Sequence, residues 1–115
     1  MRNTRSIRWL KAARKDFEAF PGEVQLEMMR ALSVASEGEK ADIAKPFKGV
    51  DGGVFEIAVK HRRDAFRSIY AVQIGGDDVW VVDAFQKKSK SGIKTPQMDV
   101  NRIKERIKRL KEALR

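Results

Sequence analysis

The chain has 115 residues, of which 42% are hydrophobic and 36% are charged, a composition that fits one globular domain spanning residues 1–115. The chain has 25 Lys and Arg residues against 16 Asp and Glu, and residues 87–115 hold 11 of the basic side chains but 3 of the acidic ones. This local excess of positive charge indicates a phosphate polymer or an acidic protein as partner. Because the sequence has no cysteine and no apolar run near the roughly 20 residues of a membrane span, it excludes disulfides, thiolate metal sites and a transmembrane helix, and we expect a cytoplasmic protein.

The first half of the sequence predicts a strand followed by a helical hairpin. Residues 6–10 form a short segment bounded by charge, which favours a strand. Apolar residues then recur every three to four positions over residues 10–20, until Pro21 ends the pattern. A second stripe of the same period predicts a helix over about residues 22–38. The polar and Gly-rich residues 37–53 predict a loop that leads into a sheet.

From residue 54 the hydrophobic period changes from helical to two, which is typical of strands. Residues 54–61, 65–74 and 79–85 are separated by short turns and therefore predict an antiparallel meander. The third of these strands is apolar on both faces and is expected to be central. The face expected to lie under the helices carries Phe55, Ile57, Phe66, Tyr70, Val72 and Ile74. The opposite face carries Glu56, Lys60 and Arg67.

A third helix is predicted after the basic segment "AFQKKSKSGIKTP". Thr95 suits the N-cap and Pro96 the first helical position. Its apolar stripe consists of Val100, Ile103, Ile107, Leu110 and Leu114. Basic side chains, Arg102 and Arg106 among them, cover much of the remaining surface. The predicted fold class is α+β: an N-terminal strand, a helical hairpin packed on a small twisted antiparallel sheet, and a C-terminal helix.

The exposed sheet face and the adjoining lysine segment predict a basic platform suited to RNA. Cleavage through the 2′-hydroxyl needs a base, an acid and cations that stabilise the charge on phosphorus. Arg67 could clamp the phosphate, and a lysine crowded by other cations has a lowered pKa and could carry a proton. Each role has an alternative. Arg67 could pair with Glu56 across the sheet instead of binding phosphate, and the lysine segment could be only a solvated surface. Tyr70 is expected in the core and His61 exposed; no metal site is indicated.

The run from Lys45 to Pro96 resembles the phage-derived, HigB-like toxins of the RelE/ParE superfamily. It contains, in their order, a "KPFKGV" loop, a "GVFE" strand, an "FRSIY" strand and the segment "AFQKKSKSGIKTP". The resemblance extends over about residues 5–114. It implies the toxin of a type II toxin–antitoxin pair, an endoribonuclease that cleaves mRNA on the ribosome without metal or other cofactor. It also implies a small helix-turn-helix, HigA-like antitoxin as partner.

The resemblance implies roles for individual residues. Arg67 matches the strand arginine implicated in phosphate contact, Lys87 and Lys88 match the basic positions after the last strand, and Lys60 ends a strand where some relatives place catalytic lysines. Phe85 and Gln86 match the motif without an assigned role. The predicted catalytic residues are therefore Arg67, Lys88, Lys60 and Lys87, and the predicted RNA or phosphate contacts are Lys90, Lys94, Gln86, Phe85, Arg102 and Arg106.

The chain has no histidine or tyrosine near its C-terminal end, where several relatives do. The general base therefore stays open among Lys60, Lys88 and Lys90. Two other functions also stay open. One is a ParE-like poison of DNA gyrase, and the other is a non-catalytic nucleic-acid or ribosome-binding module, which needs only the charge.

Overall fold

The computed structural model describes residues 5–50, 52–74, 76–87 and 95–114. Within these residues the chain forms five strands and three helices. In chain order they are β1 (Ile7–Trp9), α1 (Lys11–Glu18), α2 (Gly22–Ser36), β2 (Ala44–Pro46), β3 (Val54–His61), β4 (Asp64–Ala71), β5 (Val79–Lys87) and α3 (Gln97–Ala113). The strands form one mixed sheet in the order β1-β5-β4-β3-β2. This architecture confirms the predicted α+β fold class, with a helical hairpin, a sheet and a C-terminal helix.

The meander of β3, β4 and β5 is antiparallel, as predicted, but β5 is not the central strand. β4 lies in the middle of the sheet. β1 runs parallel to β5 and pairs only with residues 79–81. The two apolar faces of β5 arise instead because a helix layer lies on each side of the sheet. A β-bulge opposite Ile69 and Tyr70 inserts Val82 as an extra residue, so that Val82 and Asp83 both meet α3.

Two hydrophobic cores lie on opposite faces of the sheet. The helical hairpin covers Ile57, Phe66 and Tyr70 with side chains such as Met28 and Leu32, which confirms the predicted covered face and the core position of Tyr70. α3 packs on the other face, where its residues Ile103, Ile107 and Leu110 meet Ile69, Ala71 and Val82. Each fully buried aliphatic side chain stabilises the fold by about 1.5–3 kcal/mol. α3 therefore shares the face of the sheet that carries Arg67, and it occupies one half of that face.

Two predictions about the strands are wrong, each for a tertiary reason. Residues 44–46 form β2 rather than loop, because Ala44 and Pro46 pair with Ile57 and Phe55 of β3, a partner that a three-residue segment cannot reveal. β4 ends at Ala71, and Gln73 has a positive φ of 61°, so Ile74 packs in the α3 core and not beside Tyr70.

The ends of α3 also differ from the prediction. Pro96 is the N-cap, and the side chain of Thr95 does not cap the helix. Its hydroxyl donates instead to Glu56 Oε2 on β3, at 3.1 Å. Leu114, the last residue of the predicted apolar stripe, lies beyond the helix and is 36% exposed. None of the described helices has both the length and the apolarity required to cross a bilayer.

Candidate nucleic-acid interface

The sheet face on which α3 packs also carries a small cluster of cations beside the helix. Strand pairing arranges this part of the face in two rows across β3, β4 and β5: Ala58, Arg67 and Phe85 in the first, and Lys60, Ala65 and Lys87 in the second. With strands spaced about 4.8 Å apart, the backbones of Lys60 and Lys87 lie roughly 10 Å from each other. Ala65 places only a methyl group between Lys60 and Lys87. Lys60, Arg67 and Lys87 are therefore neighbours on one face of the sheet, and we call them the cationic cluster.

Arg67 is held in place by Glu56. Its Nη1 donates to Glu56 Oε1 at 2.6 Å, and the two side chains are 11% and 16% exposed. The second oxygen of Glu56 accepts the Thr95 hydroxyl. The pairing that the sequence left as an alternative to phosphate binding is thus present. It does not use every donor of the guanidinium, since Nε of Arg67 has no hydrogen-bond acceptor within the described part of the chain.

Lys87, the last residue of β5, is the most buried member of the cluster, with 8% of its surface exposed. Burial is the main reason that the pKa of Lys87 is lowered from its usual value, and the positive charge of Arg67 lowers it further; Glu56 acts in the opposite direction. A lysine with a lowered pKa exchanges its proton more readily near neutral pH than an ordinary one. The structure therefore places a lysine with a lowered pKa beside an arginine.

Lys60 and His61 end β3 on opposite faces of the sheet. Lys60 is exposed and belongs to the cationic cluster. His61 was predicted to be exposed, and this is wrong: its side chain is 21% exposed, and Nδ1 lies 3.3 Å from Glu23 Oε2 on α2. Because successive side chains of a strand alternate between faces, His61 contacts the hairpin side and does not join the cluster.

Phe85 and Gln86 are also separated by this alternation. Phe85 lies opposite Arg67 on β4, and the guanidinium of Arg102 lies over its ring, 5.6 Å from the centroid. Gln86 lies opposite Phe66, on the face covered by the hairpin. Of the two, only Phe85 is placed beside the cationic cluster.

Arg102 and Arg106 attach α3 to the sheet through Asp83. Arg102 forms two bonds to the Asp83 carboxylate, at 2.8 and 3.2 Å, and one to Asp99, at 2.7 Å. Arg106 Nη1 lies 3.2 Å from Asp83 Oδ2 and donates to the Val82 carbonyl at 3.1 Å. Their guanidinium groups are thus engaged within the fold, unlike the free positive surface that the sequence predicted for them.

Asp83 is the residue that sequence reasoning missed. It is 1% exposed, and a buried carboxylate is costly unless cations and hydrogen bonds satisfy it. The signal is present in "VWVVDAF", where one acidic residue interrupts an otherwise apolar strand. Such an aspartate predicts a cationic partner, here the arginines spaced four apart on α3.

The remaining predicted site residues, Lys88, Lys90 and Lys94, lie outside the described residues. Among the residues that the structure does describe, no group of three or more His, Cys, Asp or Glu side chains is arranged to hold a metal ion.

Comparison with known proteins relates this architecture to a family and to solved structures. Residues 15–108 match the model of the phage-derived Gp49-like proteins (DUF891). No curated protein sequence matches the chain. The chain is similar to the structure of a mutant of the E. coli toxin RelE in the free state, with a TM-score of 0.64, 16% identity, and coverage of 93% of this chain and 98% of that one.

A second similar structure is the Mycobacterium tuberculosis toxin–antitoxin complex RelBE2. Its TM-score is 0.51 at 16% identity, with coverage of 75% of this chain and 94% of that chain. At this level of identity the likeness establishes the fold, which resembles that of RelE toxins.

Proposed function

The chain belongs to the phage-derived Gp49-like family, and from this membership together with the cationic cluster we propose that it is the toxin of a type II toxin–antitoxin pair and cleaves RNA. The fold likeness to RelE supports the first part of the proposal. The placement of Lys87 next to Arg67, on the sheet face that α3 shares, is the observation that carries the second part.

In the proposed reaction the 2′-oxygen of the RNA attacks the adjacent phosphorus, and the bond to the 5′-oxygen of the next nucleotide breaks. Arg67 donates to the phosphoryl oxygens and stabilises the negative charge that grows there. Glu56 orients Arg67, because one carboxylate oxygen accepts from its guanidinium while the other accepts from Thr95. The 2′-oxygen gives up its proton to a base, for which Lys60, Lys88 and Lys90 are the candidates.

Lys87 supplies the proton to the departing 5′-oxygen in this proposal. Its lowered pKa makes the ammonium group a stronger acid than an ordinary lysine. We further propose mRNA on the ribosome as the substrate, a cytoplasmic location, and a helix-turn-helix, HigA-like antitoxin as the neutralising partner, all in keeping with the HigB-like resemblance of "FRSIY" and "AFQKKSKSGIKTP".

Mapping of mRNA 5′ ends after induction in a bacterial host tests this function. The wild-type chain should arrest growth and produce new, codon-phased 5′ ends. Arg67→Ala and Lys87→Met should each reduce cleavage by at least a hundredfold, since each removes a group that acts on the transition state. Lys104→Ala, on the exposed surface of α3, is the matched control and should cleave like wild type.

Growth arrest with intact mRNA would refute the nuclease proposal. Induction of the DNA-damage response in that case would indicate a gyrase poison instead. Salt-dependent RNA binding without cleavage on translating ribosomes would indicate a non-catalytic binding module.

A further inference from the structure

Glu56 is a carboxylate that lies directly against Arg67. Its Oε1 accepts from Arg67 Nη1 at 2.6 Å, and its Oε2 accepts from the Thr95 hydroxyl at 3.1 Å. An ionised carboxylate offers about four acceptor positions, so these two bonds leave positions for a further donor. The side chain of Glu56 is 16% exposed, against 11% for Arg67. A phosphate that reaches Arg67 therefore brings the adjoining ribose close to Glu56.

Strand register places Glu56 and Lys87 on opposite sides of Arg67. On β3 Glu56 pairs with Ile69, and on β5 Lys87 pairs with Ala65. Ile69 and Ala65 each lie two residues from Arg67 along β4, in opposite directions, so the carboxylate, the guanidinium and the ammonium group belong to the same face of the sheet. Diagonal neighbours of this kind lie about 7–8 Å apart. Long side chains reach across this distance, and the guanidinium therefore lies between the other two groups.

This order matches the requirement of an in-line displacement at phosphorus. The attacking 2′-oxygen and the departing 5′-oxygen lie on opposite sides of the phosphorus atom, so the base and the acid have to lie on opposite sides as well. The proposed reaction binds the phosphate at Arg67 and takes the acid from Lys87. The base is then required on the side of Arg67 where Glu56 lies.

A carboxylate is also a better base at neutral pH than an ordinary lysine. A base has to be unprotonated before it acts, and a lysine with a pKa of about 10.4 is unprotonated in roughly one molecule in 2,500 at pH 7. A glutamate with a pKa of about 4.3 is ionised in more than about 99% of molecules at that pH. The charged side chains nearest to Glu56 in the strand register are cations, since Arg67 contacts it and the exposed Lys45 lies opposite it on β2.

We propose that Glu56 is the general base of the RNA cleavage, an assignment that rests on the proposed nuclease function. The 2′-hydroxyl gives its proton to a carboxylate oxygen of Glu56 while the 2′-oxygen forms its bond to phosphorus. The bond from phosphorus to the 5′-oxygen breaks, and that oxygen takes a proton from the Lys87 ammonium group. The products are a 2′,3′-cyclic phosphate and a 5′-hydroxyl. Glu56 then loses its proton to water and Lys87 regains one, which restores the starting state.

The pH dependence of single-turnover cleavage distinguishes a base from a residue that only positions Arg67. The full chain, made by cell-free synthesis, is added to ribosomes programmed with a short mRNA, and the cleavage rate is measured between pH 6 and pH 7.5. With Glu56 as base, the wild-type rate should rise by less than about threefold over this range, because a carboxylate is already ionised there. An ordinary lysine as base would instead give a rise of about tenfold per pH unit.

Glu56→Gln keeps an acceptor for Arg67 but cannot take a proton. Its cleavage rate at pH 6 should be at least about a hundredfold below that of wild type, and it should then rise about tenfold per pH unit as hydroxide replaces the missing base. Glu105→Gln removes a carboxylate that pairs with Arg109 on the exposed surface of α3. It is the matched control and should cleave like wild type at every pH.

Several results would overturn this assignment. A wild-type rate that rises tenfold per pH unit would do so even if Glu56→Gln does not fold. With the fold of the variant established by far-UV circular dichroism, so would a Glu56→Gln rate lowered by the same factor at every pH, which indicates positioning alone, or a rate equal to that of wild type. Each of these results includes cleavage by wild type and leaves the proposed function standing, whereas a wild-type chain that cleaves no RNA would overturn both proposals.

Discussion

The carboxylate of Asp83 is the buried charge that attaches α3 to the sheet, and Asp83→Asn should weaken that attachment. Breaking a fully buried ion pair costs about 3–5 kcal/mol. Here the arginine side chains are 34% and 23% exposed, so water recovers part of this cost, and asparagine keeps one acceptor oxygen. We therefore expect a loss of about 2–3 kcal/mol in the free energy of unfolding, or roughly 10 °C in Tm.

Urea denaturation followed by far-UV circular dichroism measures this loss. Asp77→Asn, at an exposed position in the turn before β5, is the control and should change the free energy of unfolding by less than about 0.5 kcal/mol. The double variant Asp83→Asn with Arg102→Gln should lose less than the sum of the two single variants, because both changes remove the same interaction.

A loss below about 0.5 kcal/mol for Asp83→Asn, or strict additivity in the double variant, would refute this account of how α3 is held. In that case the apolar contacts of Ile103, Ile107 and Leu110 alone would hold the helix on the sheet.

Two further predictions concern Lys87 and the glycines. The folded-state pKa of Lys87 is lowered, so between that pKa and the ordinary lysine value of about 10.4 the unfolded chain binds more protons, and this residue makes stability rise with pH. The rise in the urea midpoint from pH 7 to pH 10 should therefore be larger for wild type than for Lys87→Met. Equal changes in the two proteins would contradict the burial argument. Gly53 has a φ of 72°, and an added Cβ would lie 3.0 Å from the Val72 carbonyl oxygen, so Gly53→Ala should cost about 1–3 kcal/mol. Gly22→Ala, whose Cβ meets nothing within 4 Å, should be neutral or slightly stabilising, and equal thermal midpoints for the two variants would disprove the steric reasoning.

Most of the helices and strands could be predicted from the sequence because their signals are local. The three-to-four period of α1 and α2, the two-residue period of β3, and Pro21 between the helices all act through neighbours in the chain. The same alternation correctly placed Phe66 and Tyr70 under the hairpin. It also placed Arg67 and Lys60 on the opposite face, so the members of the cationic cluster other than Lys87 follow from periodicity alone.

The contacts that shape the candidate site required the tertiary structure, because they join residues far apart in sequence. Nothing near Lys87 in the chain indicates its burial or its closeness to Arg67, which depends on the register of β4 with β5. The Asp83 attachment of α3 and the bond from Thr95 to Glu56 likewise depend on where α3 docks. Periodicity specifies which face of an element is apolar, but the partner that covers that face is determined by packing over the whole chain.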